Sequence, residues 1–141
     1  MKKLNLLLYY LLSFTWGIIM NIFGLFAFVY ALIVGGKPTI IHGRFVIRVG
    51  NYWGGVSLGN FILTDQDMEW VIKHETGHTI QNAWMGPLFP FLVGIPSAIR
   101  YWYRELRYCR YNINPPTDYD AVWFESSATK LGNKYFDYLS K

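Results

Sequence analysis

Hydrophobic positions fall into three successive patterns along the chain. From Leu4 to Val34 they are nearly continuous, follow Met1-Lys2-Lys3, and include no charged residue. A membrane span needs about 20 such residues, so the run reads as a membrane anchor over residues 1–36. A cleavable signal peptide fits less well, because its apolar core is only about 7–15 residues and is followed by a small-residue cleavage site. A straight helix over the whole run would exceed a hydrocarbon core of about 30 Å, so a single membrane helix must tilt. The alternative is a bent helical hairpin at Trp16-Gly17, Asn21 and Gly24. Lys2 and Lys3 precede the run while Lys37, Arg44 and Arg48 follow it, so the basic residues leave its orientation open.

Gly35-Gly36-Lys37-Pro38 reads as a linker, and the pattern then shortens. Thr39–Ile41, Arg44–Val49 and Val56–Leu63 are rich in β-branched and aromatic residues. His42-Gly43 and the stretch Gly50 to Gly55 punctuate them as turns. A small antiparallel sheet of about three strands is expected. One of its edges is a candidate for docking an extended peptide by backbone pairing; an ordinary capped edge accounts for the same residues.

The third pattern has helical period. Met68, Val71, Ile72, Ile80 and Trp84 predict a helix with Thr64 or Asp65 at its cap, Asp67 and Glu69 in its first turns, and Gly86-Pro87 at its end. Residues 86–97 carry Pro87, Pro90 and Pro96, which makes them too broken to span; they lie at a membrane interface or pack under that helix. A further helix restarting at Pro96-Ser97 bears Arg100, Arg104 and Arg107 among Tyr101, Trp102, Tyr103 and Tyr108. Such a mixture suits an anionic headgroup layer, a single nucleic-acid strand, or a plain solvated helix. The N-terminal run favours the lipid membrane, and no nucleic acid is expected. Thr117-x-x-Asp120 opens a last helix with an apolar stripe of Ala121, Phe124, Ala128, Leu131 and Tyr135. The fold class is therefore α+β: an anchor over 1–36 and one small domain over 37–141.

Composition agrees with an anchor. Hydrophobic residues make up 52% of the chain and charged ones only 16%, which is greasy for 141 residues. The net charge of +4 is spread rather than massed in a tail, and the single cysteine, Cys109, excludes an internal disulfide and a cysteine-rich zinc site.

The candidate chemistry sits in the third pattern, where His74-Glu75-Thr76-Gly77-His78 matches His-Glu-x-x-His. Positions i and i+4 share a helix face, so His74 and His78 can turn two imidazoles to one ion while Glu75 holds a water beside it as general base. Gly77 costs about 1 kcal/mol in a helix relative to alanine, a cost explained if another segment approaches there. A catalytic zinc takes a third protein ligand. Glu125 lies on the apolar stripe of the last helix, between Ala121 and Ala128 and near Gly132, where a carboxylate is costly unless something satisfies it. Asp67 and Glu69 are too far along the first helix, Asp118 and Asp120 read as caps, and Glu105 as a surface partner of Arg104. Glu125 is favoured; His42, in a turn, and the other carboxylates stay open on the residues alone.

His74-Glu75-x-x-His78 with a downstream Glu125-x-x-Ala128 helix resembles the gluzincin zinc metallopeptidases. Gly54 to Gly59, His74 to Gln81, Gly86-Pro87, Gly94 to Ser97 and Trp123-Phe124-Glu125 resemble, more narrowly, a set of small membrane-anchored bacterial proteins of that type. The resemblance implies His74, His78 and Glu125 as ligands of Zn2+, Glu75 as catalytic base, and peptide or protein as substrate. Residues 37–141 would then be a zinc metallopeptidase-like domain on a bacterial cell membrane. The expected reaction is peptide-bond hydrolysis by zinc-bound water that Glu75 deprotonates, with Tyr119 or Tyr111 donating to the oxyanion. One position departs: gluzincins often place an aspartate four residues after the glutamate ligand, and this chain has Thr129. The partner that orients the histidine must then come from Asp118, Asp120 or a backbone carbonyl. The alternative is a catalytically inactive relative that acts at the membrane as a binding partner.

Overall fold

The apolar N-terminal run does not form one helix. In the computed structural model, which describes residues 2–51, 53–65, 68–111 and 118–136, it divides into α1 (Lys2–Phe14) and α2 (Ile18–Ile33). The two are bent by 80° about Thr15-Trp16-Gly17. Asn21 supports the break: its amide donates to the Ser13 carbonyl (2.7 Å), which the end of α1 leaves without a helical partner, and to that of Gly17 (3.2 Å), the residue that opens α2. Among the described residues no single helix is long and apolar enough to cross a membrane, although the bent pair together meets that test by length and composition. The expected tilted single span is thus corrected to two shorter helices. A helix of 16 residues reaches only about 24 Å.

Gly35-Gly36 turns the chain directly into the sheet, whose strands are β1 (Lys37–Ile41), β2 (Arg44–Arg48), β3 (Gly55–Leu58) and β4 (Phe61–Thr64). Their order is β1-β2-β4-β3, with β2 and β4 parallel and the other pairs antiparallel. The sheet is therefore four-stranded and mixed, not three-stranded and antiparallel. Gly59-Asn60, with Gly59 at φ +64°, folds the expected last strand into a hairpin. Its second arm, β4, inserts beside β2 and is buried throughout, as its unbroken Phe61-Ile62-Leu63 demands. β3 is left as an edge strand.

From β4 the chain enters α3 (Glu69–Met85). Neither expected cap serves: Asp65 instead accepts from the backbone N–H groups of Trp53 and Gly54, and Thr64 donates to the Gly54 carbonyl. Asp67 lies outside the described residues. A 3₁₀ turn (Gly86–Leu88) and a π-helical turn (Pro90–Gly94) carry the three-proline stretch into α4 (Ile95–Tyr111). The last helix, α5 (Trp123–Tyr135), begins later than expected, after a 3₁₀ turn at Tyr119–Ala121. Val122, not a capping box, precedes it, and Ala121 is exposed off the helix; Thr117 lies outside the described residues.

The core is built around α3. Ile72 packs with Val46, Ile62 and Phe136, while Ile80 and Ala83 pack with Tyr9. Arg44, expected to flank the membrane run, is only 1% exposed: it lies 5.1 Å over the Tyr9 ring and donates to Thr79 (2.9 Å) and the His42 carbonyl (3.0 Å). The Tyr9 hydroxyl donates to Asn60 (2.7 Å), whose N–H in turn donates to Asn21 (2.8 Å). Polar groups of the N-terminal helices thus face inward beside Met20 and Ala31, while most of their larger apolar side chains face outward.

Candidate metal centre

Two glycines set the distance between α3 and α5. A Cβ on Gly77 would lie 1.8 Å from the Ala128 carbonyl oxygen, and one on Gly132 would lie 1.8 Å from that of Lys73. The helices therefore touch backbone to backbone, with a glycine of each against the other. This accounts for the helix-weakening glycine inside the His-Glu-x-x-His motif. The close approach carries Glu125, 0% exposed, to the histidines.

His74 Nε2 lies 3.0 Å and His78 Nε2 3.2 Å from the same oxygen, Glu125 Oε2. The three groups form a set whose ligand atoms all fall within 4.8 Å of one another. Ligands bound at about 2.0–2.1 Å around a tetrahedral ion are separated by about 3.3 Å, so the observed spacings are close to two edges of such a polyhedron.

The chemistry of the set also fits a cation. Gln81 donates its amide to the Phe124 carbonyl (2.8 Å) and to Ser127 (2.9 Å), which leaves Oε1 to accept from His78 Nδ1 at 2.7 Å. Thr129 donates to Asp120 Oδ1 (3.1 Å), so its oxygen accepts from His74 Nδ1 at 2.8 Å. Both Nδ1 atoms therefore carry hydrogen, and in the neutral rings both Nε2 lone pairs face a carboxylate oxygen. Three acceptors facing one another need either protons on the rings or a cation between them. The other Glu125 oxygen accepts from Ser97 at 2.5 Å.

Charge follows the same contacts. Burial pushes the Glu125 carboxyl up, but hydrogen bonds from His74, His78 and Ser97 outweigh it and hold the group well below the usual carboxylate range. Burial pushes His78 down, yet its bond to Glu125 and the nearby Glu75 and Glu125 charges leave it raised. Tyr119, whose ring edge meets His74 at 5.7 Å, is pushed up by burial and by the Glu125 and Glu75 carboxylates, and so keeps its proton.

Glu75 is buried on the adjoining face of α3 and borders a cavity of about 440 Å3 together with His78 and Tyr119. Gly55, at the start of β3, makes room for it: a Cβ there would lie 3.3 Å from Glu75 Cγ. Edge strand β3 forms one wall and α4 the other, and Tyr101 joins them through a hydrogen bond to the Trp53 carbonyl.

The structure thus brings together His74, Glu75, His78, Glu125 and Tyr119. It does not bring His42, which sits at φ +48° in the β1–β2 turn with its ring 4.1 Å from Phe136. Tyr111 is exposed at the end of α4 and is not among the cavity's lining residues. Asp118 offers its backbone carbonyl to Arg100, and of the two aspartates it is Asp120 that reaches a ligand histidine, through Thr129. Sequence reasoning missed Ser97 and Gln81; it named Asp120 behind the ligand histidine but not Thr129, through which Asp120 reaches His74. Gln81 stands three residues after His78, a spacing that puts both on one helix face and was legible; nothing local marks Ser97.

No protein-family model matches the chain, and comparisons with curated proteins and with solved structures likewise give no significant match.

Proposed function

We propose that the chain is a membrane-anchored zinc metallopeptidase of gluzincin type. The observation that carries the reading is the meeting of two imidazole Nε2 atoms and one buried carboxylate oxygen, with both Nδ1 atoms tied to acceptors and a second glutamate beside them. Two histidines and one carboxylate suit zinc better than the harder magnesium or calcium. His74, His78 and Glu125 would hold the ion, and Thr129 and Gln81 would fix the ring orientations. A bound divalent cation supplies Lewis acidity, which polarises a carbonyl and acidifies a water.

The chain's own residues supply the rest. Glu75 accepts the proton of the attacking water and hands it to the leaving amine, a role for which its place on the cavity wall suits it. Neutral Tyr119 donates a hydrogen bond to the oxygen where negative charge develops. The unpaired edge of β3 runs along the cavity and offers backbone groups to an extended peptide. The bent apolar pair α1–α2 would seat the chain in the lipid.

The test is metal content per chain in detergent-purified protein, followed by peptide hydrolysis. One zinc per chain, lost in Glu125→Ala, and hydrolysis abolished in a Glu75→Gln variant that keeps its zinc are expected. Absence of metal after zinc is supplied would overturn the reading in favour of a binding protein.

A further inference from the structure

Helix α4 is turned the wrong way round for a helix in water. Ile95, Ile99, Trp102 and Leu106 recur at steps of four, three and four residues and so line one face, and they are 51%, 64%, 64% and 54% exposed. Arg100, Arg104 and Arg107 lie on the opposite face. Two of them turn towards the protein. Arg100 donates to the carbonyls of Asp118 (2.7 Å) and Tyr119 (3.1 Å), and Arg104 lies 5.4 Å over the Tyr119 ring. A surface helix ordinarily buries its apolar stripe and exposes its charges; α4 buries none of its residues.

The apolar face continues beyond α4. Phe91 and Leu88 are exposed ahead of it, and Gly86 lies under the Trp16 indole at the α1–α2 break: a Cβ there would come within 2.3 Å of the ring. One apolar surface therefore runs from the bent N-terminal pair, through the proline-broken turns, to the end of α4. Arg110 and the aromatic Tyr103 stand at its rim, as basic and aromatic residues do at a headgroup layer. Ile95 and Trp102 belong to this surface and also line the cavity that Glu75 borders. The mouth of the cavity and the apolar surface share an edge.

We propose that α4 lies in the headgroup plane of a bilayer as the lip of the site, and that the substrate is a polypeptide tethered in the same membrane. It would be cut where it emerges from the lipid, with an apolar side chain seated between Val93, Leu58 and Trp102. This rests on the peptidase reading above. Lipid is the occupant chosen over a protein partner because the surface is continuous with the only helices whose length and composition suit a membrane among the described residues. Tethering acts on rate by raising the local concentration of substrate, without new contacts.

Two measurements on the full chain, in vesicles of phosphatidylethanolamine and phosphatidylglycerol, test this. In a Cys109→Ser background, a spin label at Ile99→Cys should be relaxed by oxygen and shielded from a water-borne nickel reagent. A label at Asn133→Cys, on the exposed side of α5, should behave oppositely. Equal nickel access at both positions would overturn the placement of α4. Next, one quenched peptide with an apolar centre is offered free and palmitoylated. The zinc-loaded protein should cut the palmitoylated form at least about tenfold faster. Ile99→Asp with Leu106→Asp, neither in the cavity wall, should erase that advantage and leave the free-peptide rate unchanged. Equal rates for the two peptides in the natural chain would overturn the inference while leaving the peptidase reading intact. Cleavage of neither, or cleavage that survives Glu75→Gln, would overturn both.

Discussion

Replacing Gly77 with alanine separates the site from the stability of the fold. The added Cβ would stand 1.8 Å from the Ala128 carbonyl oxygen and 2.4 Å from its carbon, whereas real contacts below 3.0 Å hardly occur. Helix α5 must retreat by about 1.2 Å or more, since the obstacle is backbone and no rotamer change relieves it. That retreat stretches the 3.0 and 3.2 Å separations between Glu125 and the histidines towards about 4 Å, past the roughly 3.3 Å edge of a tetrahedral site. The carboxylate is then lost as a ligand. Loss of an outer partner costs about 10–100-fold in metal affinity, so loss of a ligand should exceed about 100-fold, or about 2.7 kcal/mol. The metal-free protein suffers less. Alanine gains about 1 kcal/mol in helix preference against about 1–3 kcal/mol of overpacking, a net change of about 0–2 kcal/mol. Zinc affinity by competition with a chelating dye, beside melting curves with and without zinc, reads both effects. Adding Ala128→Gly should not rescue the variant, because the clash is with the peptide group and not the methyl. A Gly77→Ala protein that binds zinc within about threefold of the natural chain would refute the close-crossing account.

The relay behind His74 predicts that Thr129→Val weakens zinc binding about 10–100-fold and that Thr129→Asp restores most of it; unchanged affinity in the valine variant on the same titration would remove Thr129 from the site. For metal-free protein the pH profile follows from two opposed shifts. His78 is raised above its ordinary 6.5, so its contribution is complete below that value and is lost as pH rises through the folded one. Glu125 is lowered from its ordinary 4.5, so its contribution is present above that value and is lost as pH falls through the folded one. Melting temperature without metal should therefore peak at about pH 5–6. Zinc should move the peak upward, because protons compete for the same nitrogen atoms; a peak that stays in place would show the metal to be elsewhere. Asn21→Leu removes bonds to the Ser13 and Gly17 carbonyls and from the Asn60 N–H, all buried. The Ser13 carbonyl and the Asn60 N–H are orphaned, while the Gly17 carbonyl keeps the Asn82 amide. Each orphaned group costs about 1–3 kcal/mol, so a large drop in melting temperature is expected, and an unchanged melt would mean that the bend needs no cap.

Much of the site was legible because its constraints are local. Two histidines four residues apart on a patterned helix, a glycine that weakened it, and a carboxylate on an apolar stripe beside Ala128 and Gly132 each signal a close, polar helix contact. The structure brings those residues together. What failed was longer in range. Thr129 looked like a missing aspartate because the turn that returns Asp120 to its hydroxyl, Tyr119–Ala121, lies outside the helix and leaves no periodic trace. The parallel pairing of β2 with β4 depends on where a hairpin inserts, and no pattern within either strand encodes it. The Gly59-Asn60 turn was locally visible but sat inside an apolar run that reads as one strand. Arg44 was misplaced at the surface because burial of a guanidinium rests on partners, Tyr9 and Thr79, 35 residues distant on either side.

Helix α3 explains why the N-terminal pair and the site cannot be treated as peg and payload. One of its faces presents His74, His78 and Gln81 to α5; the neighbouring face presents Thr79, Ile80, Asn82 and Ala83 to α1, α2 and the sheet. Thr79 takes the Arg44 guanidinium and lies 3.1 Å from the Tyr9 hydroxyl, one residue after a candidate ligand. Asn82 donates to the Gly17 carbonyl, and the Gly17 backbone passes so close that a Cβ there would sit 2.7 Å from the Asn82 amide. A rigid helix gripped on both sides transmits a shift of either grip. Chain cut at residue 36 would leave the Asn60 N–H and the Asn82 amide without their partners beside a half-bared Ile80 and Ala83, while Thr79 keeps Arg44. Unpaired polar groups on an apolar face are costly. The segment that faces outward with apolar side chains is, on its inner side, half of the mould that holds the histidine helix in place.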